Sequence, residues 1–131
     1  MDTNVFISAF FWKGNPNAIL KKCCLGELQL LTSEDILEEV EYILAREKKF
    51  ELTHEEIADY VKLIRKSSEL IHPTVRINKI REDPSDDKFL ECAISGKADY
   101  VISGDDHLLN LRKYQSVKIV NCAEFLRIIG E

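Results

Sequence analysis

Residues 83–109, DPSDDKFLECAISGKADYVISGDDHLL, read as a helix start, a helix, a short buried strand and an acidic turn. Asp83 before Pro84 fits a helix cap with proline at the first helical position. The helix is predicted to run to about Gly96. Tyr100, Val101 and Ile102 form a continuous apolar run, as in a parallel strand covered on both faces. Five of the aspartates are bunched at two element ends: Asp83, Asp86 and Asp87, then Asp105 and Asp106. Like charges repel, so such bunching costs stability unless a cation or a proton intervenes.

Working outward, the same alternation of short apolar runs and helices continues. Val5, Phe6 and Ile7 suggest an apolar strand or a tight strand-to-helix passage. Asn15 and Pro16 suggest a capped helix reaching Leu25, stopped by Gly26. Leu28 to Thr32 is a strand candidate. Ser33 caps a predicted helix from Glu34 to about Lys48, whose Ile36, Leu37, Val40, Ile43 and Leu44 share one face. Thr53 with Glu56 reads as a capping box for the next helix. Leu70, Ile71 and Val75 to Ile77 look extended, Val117 to Val120 is another strand, and Ala123 to Ile129 a closing helix. Strands alternating with helices predict an α/β fold with a short, mostly parallel sheet between helix layers, as a single domain over 1–131.

The chain has 131 residues, 45% of them hydrophobic, which suffices for a core without staples. No apolar run is long enough to span a bilayer, and no signal peptide is visible. Cys23, Cys24, Cys92 and Cys122 contain no C-x-x-C pair, and the expectation is reduced core cysteines in a cytoplasmic protein. The net charge of −5 argues mildly against a nucleic-acid partner, unless several acids hold metal.

In open parallel sheets, ligands bind beyond the carboxyl ends of the strands. Asp105 follows a strand after Gly104. Asp2 precedes a strand-to-helix passage, and Asp87 lies in the first turn of its helix, where the dipole favours a carboxylate. In helix 34–48, Glu39 falls at the border of the apolar face, whereas Glu38 and Glu41 point to solvent. Asp86 is balanced between a capping role and support of a metal site, and His107 between a helix-start residue and a substrate contact. A cluster of Asp and Glu without cysteine or histidine suits Mg²⁺ or Mn²⁺ and phosphoryl chemistry. The phosphate loop G-x-x-x-x-G-K-[ST] and the G-x-S-x-G elbow are both missing.

Four stretches in order, D-T-N-V at 2–5, E-E-V-E-Y-I-L at 38–44, D-P-S-D-D-K-F-L at 83–90 and S-G-D-D-H-L-L at 103–109, resemble the PIN-domain family. The likeness is to its bacterial and archaeal branch of VapC-like toxins from toxin–antitoxin pairs, and it runs on to V-K-I-V-N-C-A-E-F-L. It implies a three-layer α/β/α sandwich with a short parallel central sheet. It also implies a Mg²⁺- or Mn²⁺-dependent endoribonuclease whose acids are Asp2, Glu39, Asp87 and Asp105, each a metal ligand or a base. Thr3, Asn4 and Ser103 match supporting polar positions. An antitoxin protein and a homodimer are implied as partners, besides the RNA substrate. Two departures stand out. Relatives carry several apolar residues ahead of D-T-N, forming a central strand, whereas only Met1 precedes Asp2; this predicts a truncated start or a very short strand. His107 stands where many relatives have aspartate.

Without the four site acids the remaining charge is close to neutral, and Lys21, Lys22, Arg46, Lys48, Lys49, Arg112 and Lys113 become candidates for backbone phosphate contacts. Two rival readings are a catalytically weak interaction scaffold and an acid-cluster phosphatase with Asp2 as nucleophile. Mn²⁺ binding separates the scaffold from the nuclease, and monoester hydrolysis would mark the phosphatase.

Overall fold

The structure, a computed structural model, describes residues 1–77 and 86–130. Asp83 and Pro84, the expected helix start, lie outside the described residues. The chain opens with helix α1 (Thr3–Phe11), α2 (Asn15–Cys24), strand β1 (Leu30–Thr32) and α3 (Glu34–Arg46). There follow α4 (His54–Lys66), β2 (Ser68–Leu70), α5 (Asp87–Ser95), β3 (Tyr100–Ile102) and α6 (Asp106–Leu109). Strands β4 (Lys113–Tyr114) and β5 (Val117–Val120) and helix α7 (Cys122–Ile128) complete it. The architecture is α/β, as the alternating pattern predicts.

The described strands form two sheets. β1 pairs with β2 in parallel, and β3 pairs with β5 in parallel while β4 runs antiparallel on the far side of β5. The expected single central sheet is therefore not what these strands make. Helix α5 packs against both β1 and β3 and spans the space between the sheets. Its end comes close to β1: a Cβ on Gly96 would lie 2.8 Å from Leu31 Cδ1 and 3.0 Å from Ile71 Cδ1. Only glycine permits that approach without displacing those side chains.

Helices α3 and α4 are the clearest products of local sequence rules. α3 and α4 pack together, and Ile36, Leu37, Val40 and Leu44 of the one and Ile57, Tyr60, Val61 and Ile64 of the other are all buried. Ser33 caps α3, and Thr53 with Glu56 forms the predicted capping box of α4, at 2.9 and 3.1 Å. Tyr60 reaches past this pair and donates its hydroxyl to the Phe6 carbonyl at 2.5 Å, tying α4 to α1. Burial pushes the Tyr60 phenol well above its ordinary range.

Several boundaries differ from expectation. The segment from Val5 to Ile7 is helical, because Asp2 caps it by accepting the Val5 N–H at 2.9 Å. Gly14 rather than Asn15 holds the cap position of α2, and α3 ends at Arg46, with a separate 3₁₀ turn over Lys48–Phe50. Residues 71–77 are irregular and are tied down by side chains: the Thr74 N–H bonds Ser95 Oγ at 3.0 Å and the Ile77 N–H bonds Glu91 Oε2 at 2.9 Å. Cys23 and Cys92 are buried as expected, Cys122 is half-buried, and Cys24 is exposed.

Candidate active site

The site is built around the carboxyl end of β3. The Asp2 N–H bonds the Ile102 carbonyl at 2.9 Å, which brings the start of the chain to that strand end. Asp2 is buried, and both of its carboxylate oxygens are held. Oδ1 accepts the Val5 N–H, and Oδ2 accepts the Gly104 N–H at 3.1 Å and the Ser103 hydroxyl. Buried carboxylates need such partners, since an ionised group without them costs several kcal/mol, on the order of a fold's whole margin.

Ser103 is the joint of the site. Its buried Oγ donates to Asp2 and accepts the Asp105 N–H at 2.9 Å. Asp105 in turn caps α6, its Oδ1 accepting the His107 N–H at 2.7 Å, and the His107 ring nitrogen Nδ1 lies 3.7 Å from the same oxygen. One serine thus couples two acids that are far apart in sequence.

Asp86 arrives from a third element. It precedes α5 and is buried, and one ligand atom each from Asp86, Asp105 and His107 lie within 4.8 Å of one another. Among the described residues this is the group close enough to share a metal ion. The expected cluster of Asp and Glu alone is thus joined by an imidazole, and two carboxylates with one imidazole make a donor set for a divalent cation without selecting which. Asp87, the neighbouring acid, is buried in the first turn of α5 and lies outside that group.

Glu39 occupies a separate setting. It is half-buried at the border of the apolar face of α3, where helical geometry put it, and Glu38 is exposed. Its Oε1 accepts the Thr3 hydroxyl, and its Oε2 forms an ion pair with Lys88 Nζ at 2.6 Å. Thr3 follows Asp2 directly, so α1 carries one contact to each carboxylate. Asn4 lies on the exposed side of α1. The sequence reading missed Lys88, although a lysine one position into D-D-K-F-L is the natural counter-charge for an acid-rich stretch. It also missed the Gly104 backbone as a donor to Asp2, and a glycine in S-G-D is the available signal for that close approach.

A family model described as PIN domain matches residues 1–107. No curated protein and no solved structure matches the chain. PIN domains are generally nucleases and usually use a divalent metal. The match spans most of the chain and takes in Asp2, Glu39, Asp86, Asp87, Asp105 and His107: the chain belongs to the PIN-domain family.

Proposed function

We propose that this chain is a metal-dependent endoribonuclease that hydrolyses RNA phosphodiester bonds. The observation that supports it best is the Ser103 link between Asp2 and Asp105 at the carboxyl end of β3, with Asp86 and His107 within reach of Asp105. Asp86, Asp105 and His107 would hold Mg²⁺ or Mn²⁺, which when bound supplies Lewis-acid activation of water and neutralises phosphate charge. A carboxylate offers roughly four lone-pair sites. Asp2 uses three of them on Val5, Ser103 and Gly104, so its remaining capacity is aimed by a fixed frame. Glu39, less tightly held, is the acid suited to taking a proton, once Lys88 leaves it for a phosphate. Asp87 stays in the proposal as a further ligand candidate.

On its motif string we read the chain further as the toxin component of a type II toxin–antitoxin pair, acting in the cytoplasm as a homodimer and restrained by an antitoxin protein. The likeness of the motifs alone supports this finer reading.

The test is cleavage of end-labelled single-stranded and structured RNA with Mg²⁺ or Mn²⁺, comparing the unaltered chain with Asp105→Asn, Asp86→Asn and Asp87→Asn. Asp105→Asn should lower the rate by about 100-fold or more at an unchanged melting temperature. Products should carry 5′-phosphate and 3′-hydroxyl ends. If the unaltered chain binds Mn²⁺ yet leaves every RNA intact, the nuclease reading fails; if it binds no Mn²⁺, the scaffold reading takes its place.

A further inference from the structure

Two large aromatic side chains stand in solvent on the helices that carry Thr3 and Glu39. Trp12, which closes α1, is 63% exposed, and Tyr42 of α3 is 61% exposed. Rings of this size left in water forgo the stabilisation of burial, so their exposure points to something that covers them.

Trp12 is held in place. Its N–H bonds the Ser8 carbonyl at 3.1 Å, and its ring lies 5.6 Å from that of Phe11. Phe11 meets Phe50 at 4.4 Å and Phe10 at 4.9 Å, and Phe10 meets the buried Tyr60 at 4.6 Å. This ladder of rings runs from the core to the surface. Its outermost indole is therefore pre-positioned, and little side-chain entropy is lost when a flat group stacks on it.

The surroundings are basic in an acidic chain. Residues 10–13 and 42–50 contain Lys13, Arg46, Lys48 and Lys49 against one acid, Glu47, while the net charge of the whole is −5. Glu41 and Glu51 flank these stretches in sequence. All four cations are exposed. Arg46 lies over the Tyr42 ring at 5.2 Å and is paired with Glu47 at 3.2 Å, and Lys49 lies over the Phe50 ring at 5.8 Å. Rings interleaved with cations match a polyanion that carries flat faces. An apolar protein surface would use the rings but would bury the lysines without partners.

The patch also lies in line with the acids. Thr3 at the start of α1 touches Glu39, and Phe11 at its end touches Phe50 just past α3, so the two helices run side by side in one sense. Glu39, Tyr42 and Arg46 succeed one another along one stripe of α3. From Thr3 to Phe11 is ~12 Å at ~1.5 Å per residue. A stacked strand at ~3.4 Å per nucleotide crosses that distance in at most about four nucleotides.

Resting on the ribonuclease reading, we propose that this surface is a stacking platform for single-stranded RNA next to the cleaved bond. Bases lie on Trp12 and Tyr42, and phosphates meet Lys13, Lys48 and Lys49.

Trp12 is the one tryptophan of the chain, so its fluorescence reads the platform directly. The full chain is titrated in EDTA with a uridine oligonucleotide of roughly eight nucleotides, and saturable quenching is expected. Tyr42→Ala should weaken binding about fivefold or more. Lys48→Ala combined with Lys49→Ala should flatten the dependence of log Kd on log salt by about 1.4. A ribose-phosphate chain of the same length without bases should leave the Trp12 emission unchanged. Lack of saturable quenching overturns the proposal, as does equal quenching by the chain without bases. Quenching that neither Tyr42→Ala nor the lysine pair alters overturns it too. So does sedimentation showing that Trp12 is covered by self-association, which would assign this face to a second copy. The two readings fail separately: cleavage with Mn²⁺ while Trp12 stays silent removes the platform alone, and quenching without cleavage removes the nuclease alone.

Discussion

Asp2 and Glu39 both touch α1, yet the protein holds them by opposite means. Asp2 is buried and takes three hydrogen bonds from neutral donors, two of them backbone N–H groups. Glu39 is half-buried and is paired with a cation, Lys88, with one hydroxyl from Thr3. Fixed dipoles cannot leave, whereas a lysine on a flexible stem can exchange one anion for another. The difference separates structure from the proposed chemistry: Asp2 is tied into the frame by fixed donors, and Glu39 is the less tightly held of the two.

The comparison breaks most readily at Asp2. Asp2→Ala removes the α1 cap and leaves the Gly104 N–H and the Ser103 hydroxyl facing nothing, so urea unfolding should show a loss of about 3 kcal/mol. Glu39→Ala should cost less than about 1 kcal/mol, because partly exposed ion pairs contribute little. Equal losses would show that the two acids are held alike. The next effect in size is at Ser103. Ser103→Ala removes one partner from Asp2 and one from Asp105 together, with an expected loss of about 1–2 kcal/mol and a weaker response of Mn²⁺ binding to Asp105→Asn. The smallest stability effect belongs to Lys88→Met, within about 1 kcal/mol in the same unfolding assay. Calorimetry should nevertheless show Mn²⁺ binding several-fold tighter, since a competing cation has been removed from the acid cluster. Unchanged Mn²⁺ affinity would mean that Lys88 and the ion do not share a field.

Where local rules decide, the sequence was readable. The capping box at Thr53 and Glu56, the apolar faces of α3 and α4, and the border position of Glu39 all follow from spacing within a few residues. Ambiguity entered where an apolar run is short: Val5-Phe6-Ile7 reads as a strand or a strand-to-helix passage, and the chain capped by Asp2 is helical there instead. The two-residue strand β4 is too short to leave a pattern. Asp86 and Asp87 are adjacent, so which one reaches Asp105 depends on how the chain enters α5, and spacing alone is silent there. The Ser103 link was the least legible, since it joins partners across the length of the fold, and no local pattern encodes that. The family resemblance supplied the convergence of the acids, which composition and periodicity only suggested.

The bonds from Ser103 and Gly104 to Asp2 span 101 and 102 positions of sequence. Closing so long a loop carries an entropic cost that the rest of the fold must already offset. During synthesis Asp2 waits for its partners until the S-G-D turn at 103–105 has been made. A nascent or prematurely terminated chain lacking the S-G-D turn retains α3 and α4 with their caps but has no assembled acid cluster. Ser103 therefore joins the two ends of a long loop, and the frame around Asp2 closes only once the S-G-D turn is in place.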